Sequence, residues 1–137
     1  MSLVRLLAID RPLPAVNCQT WRKTMIGGTA LGMERGFLIE PLVYYKNAVE
    51  EAAALRALSM KPCRYEFSIE ETPEDLARLC AYLRENCSPG SEVELWALWL
   101  GDEDRRPPRF RGSLNAFDME TPRQFLEAEQ ICLTVTI

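Results

Sequence analysis

The run Val93-Glu94-Leu95-Trp96-Ala97-Leu98-Trp99-Leu100 constrains this chain more than any other stretch of its 137 residues. Read as a strand, it turns Val93, Leu95, Ala97 and Trp99 to one side and Trp96, Leu98 and Leu100 to the other, because successive side chains alternate across a pleated sheet. A strand that is apolar on both faces needs cover on both. One cover is a helix layer. For the other, residues 1–62 are preferred over a second subunit, because Leu3–Ile9 and the run 37–45 are themselves apolar and need something to pack on.

The surrounding pattern supplies the helix layer. Cys63 to Glu70 alternates, with Tyr65, Phe67 and Ile69 on one side and Arg64, Glu66, Ser68 and Glu70 on the other, as in a half-buried strand. Thr72-Pro73-Glu74-Asp75 then starts a helix: a hydroxyl cap, Pro at the first position and two acids in the first turn. Leu76, Leu79, Cys80, Leu83 and Cys87 form its apolar stripe, and Ser88-Pro89-Gly90 stops it. A second round runs from a weaker strand over 110–117, through Thr121-Pro122 with Gln124 in capping-box spacing, to the alternating strand Ile131–Ile137.

Strand–helix–strand, repeated, resembles the split βαβ order of ferredoxin-like folds. The resemblance implies an α+β chain with a ferredoxin-like βαββαβ antiparallel sheet over about residues 63–137. An N-terminal strand, loop and helix extension (1–62) packs on that sheet, and the whole chain is one domain. In such a sheet the last strand lies antiparallel beside the first. Pairing Tyr65 with Val135, Phe67 with Leu133 and Ile69 with Ile131 brings both apolar faces to the same side.

Before residue 63 the pattern is thinner. Leu3–Ile9 reads as a strand buried on both faces, stopped by Asp10-Arg11-Pro12-Leu13-Pro14. Residues 15–36, with Gly27, Gly28, Gly32 and Gly36, read as loop. The run 37–45 is broken by Pro41, which suits an edge strand, and Asn47 caps an Ala-rich helix over 48–58.

Composition fits a chain that folds without staples: 47% of residues are apolar and 26% charged. There is no histidine, which removes Ser/His and Cys/His nucleophilic pairs and the commonest metal ligand. Five cysteines (Cys18, Cys63, Cys80, Cys87, Cys132) at irregular spacing, with no Cys-x-x-Cys, give no zinc set; they read as buried thiols in a reducing cytoplasm. No cofactor or metal is expected. A net charge of −4, the lack of a signal sequence and the lack of an apolar run near the ~20 residues of a membrane helix argue against nucleic acid and membrane partners.

No motif of catalysis emerges. The stretch Gly27–Gly32 lacks the spacing of a phosphate loop. Arg111-Gly112 is followed by Ser113, Leu114 and Asn115, without the aromatic platform of an RNA-recognition motif. Glu92 and Glu94 share a strand face and read as exposed charges. The residues singled out for a ligand or partner are seven. Asp10 ends an apolar strand at a loop, and Cys18 lies just before the cations Arg22 and Lys23. Arg64 and Glu66 sit on the polar face of their strand, while Trp96 lies on the doubly apolar one. Arg105 and Arg106 head a basic group suited to carboxylate or phosphate. The expectation is a cytoplasmic binding or protein-interaction module, through self-association or a protein partner at the Trp96 strand, or a small ligand. The alternative is a small enzyme using carboxylate, Arg and Cys groups in a pocket near the N-terminal loops.

Overall fold

The computed structural model describes residues 3–42, 59–99 and 106–137. The strands are β1 (Leu3–Ile9), β2 (Val16–Asn17), β3 (Thr20–Ile26), β4 (Thr29–Arg35), β5 (Leu38–Pro41), β6 (Cys63–Ser68), β7 (Glu92–Trp99), β8 (Arg109–Ser113) and β9 (Ile131–Thr136). Among the described residues two helices accompany them, α1 (Pro73–Asn86) and α2 (Glu120–Glu127), with a 3₁₀ turn at Leu114–Ala116. Seven strands form one mixed sheet in the order β2-β5-β6-β1-β7-β9-β8, and β3 and β4 form a separate two-stranded sheet.

This corrects the ferredoxin-like expectation. β9 does not lie beside β6; it pairs antiparallel with β7, Glu92 opposite Thr136 and Ala97 opposite Ile131. β8 runs parallel to β9, so the sheet is mixed rather than antiparallel. The N-terminal segment is not an extension packed over the sheet. β1 is inserted at its centre, antiparallel to β6 on one side (Leu6 opposite Glu66) and to β7 on the other (Leu6 opposite Trp96). The physical reason is that β1 and β7 are the strands apolar on both faces, and central positions are where both faces are covered. β5 and β2 extend the sheet beyond β6. The expected helix over 48–58 lies outside the described residues.

The facing of residues follows the alternation closely even though the neighbours differ. Leu7, Ile9, Tyr65, Phe67, Val93, Leu95, Ala97, Ile131 and Val135 are buried on the helix side, with Leu79 and Leu83 of α1 and Phe125 of α2 packed on them. Phe67 meets Phe125 and Phe37 meets Tyr82 as tilted and edge-to-face aromatic pairs. The Tyr65 hydroxyl accepts from the Leu13 N–H at 2.7 Å, which satisfies the one polar atom it brings into this core.

The start of α1 forms as its sequence dictates. Thr72 Oγ1 accepts from the Asp75 N–H at 3.2 Å, and the buried Asp75 carboxylate accepts from the Glu70 N–H at 2.8 Å. α2 departs from its expected start: Thr121 lies inside it, and the Asp118 carboxylate accepts from the Glu120 N–H at 3.0 Å. β8 is shorter than expected, giving way to the 3₁₀ turn after Ser113. No helix among the described residues is long and apolar enough to cross a membrane.

The stretch read as a featureless loop contains a hairpin. Thr20 to Ile26 pairs antiparallel with Thr29 to Arg35, Ile26 opposite Thr29. Gly27 (φ 56°) and Gly28 (φ 79°) form its two-residue turn. Two successive positive φ angles match the twist of the flanking strands, and glycine adopts both without strain.

Candidate functional site

Two regions carry chemistry beyond simple packing: the sheet face opposite the helices, and the β3–β4 hairpin.

On the far face, the register aligns Glu40, Glu66, Leu6, Trp96, Cys132 and Arg109 in one row across five strand pairs. The next row holds Arg64, Ala8, Glu94, Thr134 and Arg111. Leu6, Ala8, Trp96, Leu98 and Cys132 form a second buried apolar cluster, with Trp96 at 0% exposure within the single chain. Glu94 is buried beside it at 9% exposure. Its carboxylate accepts from the Ser59 hydroxyl and from the Trp96 indole N–H at 3.2 Å. Arg109 stands 4.0 Å from the other carboxylate oxygen, and its guanidinium lies 4.9 Å from the Trp96 ring centroid. Ser59 therefore lies against this face and shares in covering it. Burial, with the Glu94 charge adding to it, pushes the Cys132 thiol up to about 11, so this sulfur is held as an inert thiol.

Both hydrogen bonds to the Glu94 carboxylate fall on Oε1, Arg109 faces Oε2, and the Trp96 indole N–H is satisfied within the chain. The register places Glu66 directly opposite Glu40. Burial, then the Glu40 charge, raises the Glu66 carboxyl above the ordinary carboxylate range. Arg64 lies on the same face with its Nε buried and unpaired.

Of the residues singled out by sequence, Arg64, Glu66 and Trp96 are brought onto this one face. The others lie elsewhere. Asp10 is exposed and pairs with Lys61 at 3.1 Å. Cys18 is half-buried, its N–H bonded to the Phe37 carbonyl at 2.8 Å and its side chain against the main core. Arg106 is exposed beside Pro107 and Glu129 at a separate cleft of about 340 Å³. Arg105 lies outside the described residues. Sequence reasoning missed Glu94 and Arg109 as partners of Trp96. The signal for Glu94 was present, because residue i−2 shares a strand face with Trp96; reading it as an exposed charge was incorrect, since it is buried.

The hairpin is the opposite case, an open surface. Among the described residues, β3 and β4 pair with each other and not with a strand of the seven-stranded sheet. Trp21 is 70% exposed and Met25 66%, the two standing on one strand two pleats apart. The Trp21 ring lies over Gly32 of the facing strand, where a Cβ would come within 2.5 Å of it. At the base, Gly36 (φ 133°) passes so close to Cys18 that a Cβ would meet its carbonyl oxygen at 2.7 Å. Glycine at position 36 thus sets how the arm leaves the body. Compared with protein-family models, curated proteins and solved structures, the chain matches none of them.

Proposed function

We propose that the protein is a non-catalytic protein-interaction module whose contact surface is the β3–β4 arm. The observation that carries this reading is the arm itself: a hairpin whose strands, among the described residues, pair only with each other and that displays Trp21 and Met25 to solvent. An isolated two-stranded hairpin is marginally stable in water, and large exposed aromatic and thioether side chains are what interfaces use. A second copy of the chain is the first partner, because a hairpin with open edges is self-complementary by strand addition about a two-fold axis. Trp96 enters this reading as the buried support of the far face rather than as the contact. The compartment proposed is the cytoplasm, in keeping with five cysteines that are all unpaired.

Light scattering coupled to size exclusion over a wide concentration range tests the proposal. The mass should rise from monomer to dimer with concentration. The double variant Trp21→Ala/Met25→Ser should remain monomeric with an unchanged thermal midpoint. A wild-type chain that stays monomeric throughout, with the amides of residues 20–35 protected from hydrogen exchange, would show an arm that is stable alone and would overturn the reading.

A further inference from the structure

β8 ends the sheet, and among the described residues nothing pairs with its outer side. The Cys132 N–H donates to the Pro108 carbonyl at 2.9 Å. In a parallel pair this phase turns the backbone groups of Phe110 and Gly112 toward β9, and aims those of Arg111 and Ser113 outward. A cavity of about 480 Å³ opens on the helix side of this edge, between β8 and α2. Phe110, Gly112, Phe117, Phe125 and Leu133 supply its apolar lining, and Arg111, Ser113, Thr121 and Gln124 its polar lining. Phe110 is 54% exposed, and a Cβ built on Gly112 meets nothing within 4 Å. The glycine leaves an open notch where any other residue would fill the groove.

The opposite side of the same strand has the opposite chemistry. Arg109 and Arg111 stand there, and Arg111 is 72% exposed even while paired with Glu92 at 2.9 Å. Surface pairs of that kind are weak and exchange readily. A strand laid along β8 would alternate its side chains between these two environments, one set over the apolar groove and the other over the arginines. Arginine alone is a common guard of an edge strand. A guarded edge has no use for a half-exposed phenylalanine above an apolar groove.

We propose that the β8 edge and its groove form a peptide-recognition site that takes an extended segment of a partner protein, alternating apolar and acidic residues, by strand addition. Outward backbone groups supply the pairing, the groove takes the apolar side chains, and Arg111 selects for acid. This site is distinct from the β3–β4 arm and does not depend on it.

Fluorescence anisotropy with a labelled peptide of four Val-Glu repeats tests it on the full chain. Saturable binding is expected. It should weaken at least about tenfold for a Val-Lys peptide and for Gly112→Val, which fills the notch. Arg111→Glu should reverse the preference toward the Val-Lys peptide, a result that no loss of folding can mimic. The absence of saturable binding by the wild-type chain would overturn the proposal, as would equal binding by wild type and a folded Gly112→Val. A wild-type dimer that Gly112→Val dissociates, with no peptide bound, would assign the edge to a second copy instead.

Discussion

Replacing Glu94 by alanine probes what holds the far face of the sheet together. The carboxylate accepts from the Trp96 indole N–H at 3.2 Å and from the Ser59 hydroxyl, with Arg109 4.0 Å away. Trp96 has no exposed surface, so its N–H cannot turn to water when the acceptor is removed. An orphaned buried donor costs about 1–3 kcal/mol, and the lost side-chain packing adds about 1 kcal/mol, giving roughly 2–4 kcal/mol for Glu94→Ala. With an unfolding entropy near 2.1 cal/mol/K per residue, each kcal/mol is worth about 3.5 °C in a chain of this length, so the midpoint should fall by roughly 7–14 °C. Glu94→Gln keeps an acceptor oxygen and the volume, and should lose only about 1 kcal/mol. Urea unfolding at pH 7, followed by far-UV circular dichroism, reads both variants. In a Trp96→Phe background, which has no indole donor, the cost of Glu94→Ala should shrink by about 1 kcal/mol or more. If Glu94→Ala costs less than about 0.5 kcal/mol, or the Gln and Ala variants are equally destabilised, the hydrogen-bonded network is not what stabilises this face.

Three further outcomes follow from other sites. The Glu66 carboxyl is raised by burial and by Glu40, so the folded state holds its proton more tightly than the unfolded state; the ionised group opposes folding above its folded pKa, and that opposition disappears below the ordinary carboxylate value. Glu66→Gln should therefore stabilise the protein at pH 7, with the gain vanishing as the pH of the urea titrations is lowered toward about 4. Gly36→Ala forces a Cβ against the Cys18 carbonyl in a positive-φ conformation and should cost about 1–3 kcal/mol in thermal or urea unfolding, whereas Gly112→Ala, in open space at an ordinary φ, should be neutral or slightly stabilising. Titration of the native protein with a thiol reagent should modify at most Cys18, Cys63 and Cys80, while the buried Cys87 and Cys132 react only after denaturant is added.

Much of the local structure was legible in residue order. Thr72 and Asp75 cap α1 as their spacing requires, and the stripe at Leu79, Leu83 and Cys87 is buried. The hairpin was missed because Gly27-Gly28 was weighed as loop composition rather than as a two-residue turn between Ile26 and Thr29. The candidate sites were less legible still. Arg64, Glu66 and Trp96 were singled out separately, and nothing local joins them; they share a face because β1 carries Leu6 and Ala8 between their strands. Arg109 meets Trp96 through β9, again a matter of strand order rather than of spacing.

By itself the sequence determined which side of each strand is apolar, where α1 starts and stops, and that Val93–Trp99 needs cover on both faces. Those are properties of neighbours along the chain, fixed by the period of two in a strand and 3.6 in a helix. Only the tertiary structure decided which strands stand side by side. A register shift of two residues, or an exchange of one doubly apolar neighbour for another, leaves every side chain facing as before. Periodicity is therefore blind to the choice between β9 and β1 as the partner of β6. The choice is made by non-local burial: β1, apolar on both faces, belongs where both faces are covered, and its insertion moves β9 to the far side of β7, with β8 at one edge of the sheet.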